Sequence, residues 1–84
     1  MFLDVANHKT ATIDLGGAIT VRLNIPTGYK YLAFTGFSAS DWTVVLQDFN
    51  VQEAQGYIEV IGRKMISGSS SVTVSASIVC RKVY

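Results

Sequence analysis

NIPTGYKYLAFTGF, running from Asn24 to Phe37, is the stretch on which the fold turns. Pro26-Thr27-Gly28 breaks the chain, since proline withholds a ladder donor and glycine accepts a positive φ. The residues after this break read as a strand. Strict alternation would put Tyr29, Tyr31, Ala33 and Phe37 on one face and Leu32 and Phe34 on the other. Both faces are then apolar, and a chain of 84 residues has little with which to cover the second.

Outward from that stretch the dominant period is two. Ala11, Ile13 and Leu15 alternate with Thr10, Thr12 and Asp14, and Ile19, Val21, Leu23 and Ile25 alternate with Thr20, Arg22 and Asn24. If these two strands form a hairpin, side-chain parity selects Gly16-Gly17-Ala18 as the loop. Leu15 then faces Ile19, Ile13 faces Val21, and Thr12 lies opposite Arg22 on the outside. After the turn Ser38–Asp41, the segment WTVVLQDF groups Trp42, Val44 and Leu46 on one face and Val45 and Phe49 on the other, so it too reads as apolar on both sides. Asn50–Gly56 reads as the longest exposed loop. The next strand sets Ile58 and Val60 against Tyr57, Glu59 and Ile61, with Gly62 as a bulge or close-approach point. Ser67–Ser71 is a turn, and the last strand turns Val72, Val74, Ala76, Ile78 and Cys80 inward.

With no helical period, this pattern predicts a single all-β domain over residues 1–84, a small antiparallel β-sandwich or jelly-roll-like fold of about six to seven strands. A domain this short buries only about 60% of its surface on folding. Yet 49% of the residues are hydrophobic and 15% charged. That imbalance favours self-association, with Tyr31, Phe34, Phe37 and Phe49 as the expected interface. A net charge of +1, with its seven basic residues scattered, supplies no stripe for nucleic acid and no basic patch for an anionic membrane. No apolar run reaches the roughly 18 residues of a membrane span, and the N-terminal residues lack the pattern of a signal peptide.

Chemistry-bearing residues are few. Cys80 is the only cysteine, so no internal disulfide can form, which fits assembly in a reducing cytosol. His8 is the only histidine and reads as exposed on a polar segment. One His and one Cys cannot build a zinc site of the usual composition. Asp48 and Glu59 are the carboxylates best placed for acid catalysis, but both read as outward charges. Hence no enzyme, cofactor or metal is expected. Asp41 and Trp42 at a turn, with Gln55 and Tyr57 beside the polar loop, pair aromatic rings with polar groups as sugar-binding surfaces do, and form the expected ligand site.

The order of segments adds to this reading. Ile25-Pro26-Thr27-Gly28-Tyr29-Lys30, then Thr35-Gly36-Phe37, then the Ser-rich turn and alternating strand from Ser67 through Val83, resemble a C-terminal domain of tail and fibre proteins from phages and prophages of Gram-positive bacteria. The resemblance covers most of the chain from about Thr10. It implies a non-enzymatic appendage domain, assembled as a homotrimer or another ring, that presents loops to a host-surface ligand, with a glycan as the expected partner. The location implied is the virion tail after assembly in the host cytoplasm. The alternative is a stand-alone phage protein that stays in that cytoplasm and sequesters a small molecule or blocks a host factor.

Overall fold

The computed structural model of the protein describes residues 1–83. These form six strands: β1 (Phe2–Ile13), β2 (Ala18–Asn24), β3 (Tyr29–Ala39), β4 (Val44–Gln52), β5 (Tyr57–Lys64) and β6 (Ser70–Lys82). They make two antiparallel three-stranded sheets, ordered β1-β6-β3 and β2-β5-β4, packed as the expected sandwich. The conditional hairpin between β1 and β2 does not form. β1 pairs with β6 and β2 with β5, so Thr12 lies opposite Ser71 and Arg22 opposite Glu59. The Gly16-Gly17 segment instead carries the chain from one sheet to the other, with Gly16 at φ 81°.

The core lies between β6 and the two strands β2 and β5. Ile19, Val21, Leu23, Ile58, Val60, Val72, Val74, Ala76, Ile78 and Cys80 are buried, joined by Val44 of β4. None of these comes from β1 or β3, whose inward residues are half-buried. Strict alternation in β2, β5 and β6 produces this, because every second residue of a regular strand meets the facing sheet. Gly62 is a point of close approach. A Cβ there would sit 3.2 Å from both Val44 Cγ1 and Val74 Cγ2. Cys80 is buried in this core, and desolvation raises its thiol pKa, which makes it a small hydrophobe rather than a nucleophile.

The doubly apolar reading of β3 is corrected by two bulges. Pairing with β6 shifts between Tyr31 and Ala33 and again between Phe34 and Gly36, leaving Leu32 and Thr35 as the extra residues. Each extra residue resets the alternation. Tyr31, Phe34, Phe37 and Ala39 therefore lie opposite the inward Cys80, Ile78, Ala76 and Val74, while Ala33 moves to the outer face opposite Val79. A third bulge, at Gln47, does the same in β4. Leu46 faces Gly62 before it and Phe49 faces Val60 after it, so Val44, Leu46, Phe49 and Val51 share the inner side. Trp42 is not in this strand but in the turn that precedes it.

The expected loop Asn50–Gly56 is shorter than the composition suggests. β4 continues to Gln52, and a single 3-10 turn, Glu53–Gln55, closes onto Gly56 at φ 85°. The molecule is long and thin, 48 × 20 × 15 Å, with a radius of gyration of 13.7 Å. A compact chain of this length would have about 12 Å. β1 and β2 lie against each other along one side of the sandwich. On the other side β3 and β4 hardly meet. There the rings of Phe34 and Phe49 stack at 4.9 Å, with Tyr31 tilted against Phe49.

Candidate functional site

Three loops meet at one end of the long axis: Asp14–Gly17 after β1, Ser40–Thr43 after β3, and Met65–Ser69 after β5. Backbone hydrogen bonds hold them together. Gly16 N donates to Lys64 O (3.0 Å), Lys64 N to Gly17 O (2.9 Å), and Met65 N to Thr43 O (2.9 Å). The Arg63 guanidinium donates to Gly16 O and to Gln47 Oε1.

At the centre of this end lies Lys64, only 3% exposed. A buried ammonium is tolerated only when its donors are matched. Here Nζ donates to Thr43 Oγ1 (2.7 Å), Ser70 Oγ (3.0 Å) and Asp41 Oδ2 (3.2 Å), one partner for each proton. Asp41 in turn accepts from the Thr43 N–H and hydroxyl at Oδ1 and from the Ser70 hydroxyl at Oδ2. The Thr43 N–H, followed by the Thr43 and Ser70 hydroxyls, holds its carboxyl well below the usual carboxylate range. Asp14 makes a second brace. Its Oδ1 accepts from the N–H groups of Leu15 (2.6 Å) and Gly68 (2.7 Å), which lower its pKa also.

Around these braces the loops expose large apolar side chains. Leu15 is 61% exposed, Trp42 82%, Met65 56% and Ile66 43%. Their backbone is fixed from below while their side chains stand in solvent.

The four expected ligand residues do not form one site. Asp41 and Trp42 lie at this end, but Gln55 and Tyr57 lie at the other, since β5 runs from Tyr57 to Lys64 between them. Asp41 has both oxygens committed to the brace. Tyr57 is half-buried, with the Arg22 guanidinium 3.9 Å above its ring and Arg22 also paired with Glu59 at 3.3 Å. Sequence reasoning missed Lys64, Leu15, Met65 and Ile66. A lysine ending an apolar strand reads as solvated, and only the meeting of three loops distant in sequence buries it.

The expected interface residues Tyr31, Phe34, Phe37 and Phe49 all pack inward and are half-buried. They border the open side between β3 and β4, where Leu32, Val45, Leu46 and Val51 are exposed. Elsewhere, a concavity of about 570 Å³ crosses β1, β6 and β3, with His8, Gly36, Ser38, Ser75 and Ser77 in its lining. A second, of about 360 Å³, lies by Pro26, Gly28, Lys30 and Glu53. Among the described residues no three His, Cys, Asp or Glu side chains gather as a metal site. Comparison of the chain with protein-family models, curated proteins and solved structures returned no match.

Proposed function

We propose that this protein is a non-enzymatic recognition module, a tail-appendage or fibre-tip domain, whose three-loop end contacts the surface of a host cell. One observation carries the reading: the polarity of the molecule. Met1 O accepts from Lys82 N at 2.9 Å and Gly28 O from Val83 N at 3.0 Å, so both chain ends lie at the end opposite the braced loops. Attachment through either chain end leaves Leu15, Trp42, Met65 and Ile66 foremost, some 48 Å along the long axis. Rigid scaffolds that hold exposed loop residues are the usual form of a binding module.

Self-assembly into a ring is part of the proposal. Copies aligned along their long axes would cover the open β3–β4 side and keep all tips at one end. The sequestering alternative calls for an enclosed pocket, and the two concavities described above are open to solvent.

The test is adsorption of fluorescently labelled protein to intact Gram-positive cells, for the natural chain and for Trp42→Ala. The natural chain is expected to bind, and Trp42→Ala to lose at least about tenfold in affinity with its melting temperature unchanged. Equal binding by both would exclude the tip as the contact, and no adsorption by either would reject the recognition reading.

A further inference from the structure

We infer that the outer face of the β2-β5-β4 sheet binds an uncharged saccharide, at a patch built from Arg22, Asn24, Asn50, Gln52, Tyr57 and Glu59. The patch lies on the flank of the molecule, away from the three-loop tip, and does not rest on the tip reading. Its make-up follows from register. Tyr57 has Asn24 on one side and Gln52 on the other, and Glu59, two residues along, has Arg22 and Asn50. The alternate residues Val21, Leu23, Ile58 and Val60 fill the core, so these six side chains share the opposite, solvent-facing side. Two rows of three, on strands about 4.8 Å apart, make a patch roughly 10 Å wide, the scale of one or two sugar rings.

The centre of the patch is ordered before any ligand arrives. The Arg22 guanidinium lies 3.9 Å above the Tyr57 ring, and its Nη2 donates to Glu59 Oε2 at 3.3 Å. From β1 the Asn7 amide donates to Arg22 O at 2.9 Å, which pins the backbone beneath. The remaining N–H groups of Arg22 and Glu59 Oε1 stay uncommitted. Among the described residues, the amides of Asn24, Asn50 and Gln52 and the Tyr57 hydroxyl have no hydrogen-bond partner either.

That inventory selects the ligand. Arg22 and Glu59 cancel in charge and the other four are neutral, so a phosphate meets no unpaired cation. The Tyr57 ring is half-buried and already carries the guanidinium, which makes it a poor platform for a nucleobase. A peptide needs a strand edge or a side-chain pocket, and the face of the central strand β5 offers neither. Sugar hydroxyls both donate and accept, and so does each amide, from two groups in one plane. A guanidinium beside a carboxylate adds donors and acceptors in a fixed array, with little left to order on binding. The complementarity is therefore that of an uncharged polyol to a polar surface whose charges sum to zero.

The experiment is a nitrogen-15 NMR titration of the full chain with maltotriose, the N-acetylglucosamine trimer, a galactose trisaccharide and L-rhamnose. The expected result is a saturable shift of the Asn24, Asn50 and Gln52 amide signals and of the Arg22 Nε–H with at least one of these probes. The indole N–H of Trp42, the only tryptophan, reports the tip and should stay in place. Asn24→Ala and Gln52→Ala, both at exposed positions, should each weaken the binding about fivefold or more with the melting temperature unchanged. Inorganic phosphate at the same concentrations should leave the amide signals unmoved.

Four results would overturn the inference: no shift with any probe at tens of millimolar sugar, shifts at the Trp42 indole with none on the flank, binding that both substitutions leave unchanged, or phosphate shifting the same signals. Sugar binding on the flank by a protein that does not adsorb to cells would reject the tip reading alone and leave this inference standing.

Discussion

At the scale of single residues, the brace under the tip makes an asymmetric prediction. Asp41→Ala strands a buried ammonium without its counter-charge, whereas Lys64→Met leaves Asp41 with its Thr43 and Ser70 donors and places a flexible apolar chain in the same space. Asp41→Ala should therefore lower the melting temperature more than Lys64→Met does. The gap should be at least several degrees, at roughly 4–8 °C per kcal/mol for a domain of this size. Because the folded-state pKa of Asp41 is depressed, its contribution is fully present above the unfolded carboxyl value of about 3.9 and is lost as pH falls through the folded one. Thermal melts from about pH 5 to about pH 2 should steepen in that window for the natural chain and flatten for Asp41→Asn. A residual slope is expected from Asp14, shifted in the same sense. None of this was legible at Lys64 itself. Its neighbours Arg63 and Met65 resemble any strand end, and the burial arises from loops 21 to 23 residues away in sequence and from Ser70.

At the scale of elements, the bulges decide which way the aromatic strands face. Gln47 is the extra residue of the β4 bulge, so removing it would leave the pairing with β5 continuous and keep Val44, Leu46, Phe49 and Val51 on the inner side by plain alternation. Removing Thr73 from β6, a strand whose alternation is unbroken, would instead turn either Val72 or the run from Val74 onward out of the core, and each large apolar side chain displaced forfeits about 1.5–3 kcal/mol. Deletion of Thr73 should lower the urea midpoint sharply, while deletion of Gln47 should leave it far less changed; equal effects would mean that the bulge does not set the register. β2, β5 and β6 were readable from their pattern alone because nothing interrupts it. β3 and β4 were not, because a bulge is one residue of backbone with no side-chain signature. The recurrence of Tyr31, Phe34 and Phe37 at every third position was the available clue, since two single-residue bulges convert a period of three into one inward face.

At the scale of the whole molecule, the two sides of the sandwich differ. β1 and β2 close one side, and Asn7 Nδ2 bonds across to Arg22 O at 2.9 Å. The β3–β4 side leaves Leu32 and Val45 exposed beside half-buried aromatics. If rings form through that side, Leu32→Lys with Val45→Lys should reduce the solution mass measured by light scattering to that of one chain while the fold is kept. The same mass for both proteins would move the contact elsewhere. This pair is a better probe than Phe34→Asp, which would bury a carboxylate against the core.

The sequence by itself determined the class of fold, the inward faces of β2, β5 and β6, and the placing of Trp42 near a loop. Those properties follow from local alternation and turn chemistry, which are written residue by residue. Only the tertiary structure decided that β1 and β2 part into different sheets, that bulges turn Phe34 and Phe49 inward, and that Lys64 is buried beneath three converging loops. It also separated Gln55 and Tyr57 from Asp41 and Trp42. The physical reason is common to all four: each depends on pairing partners far away in the chain, and the chain's local pattern fits more than one such pairing.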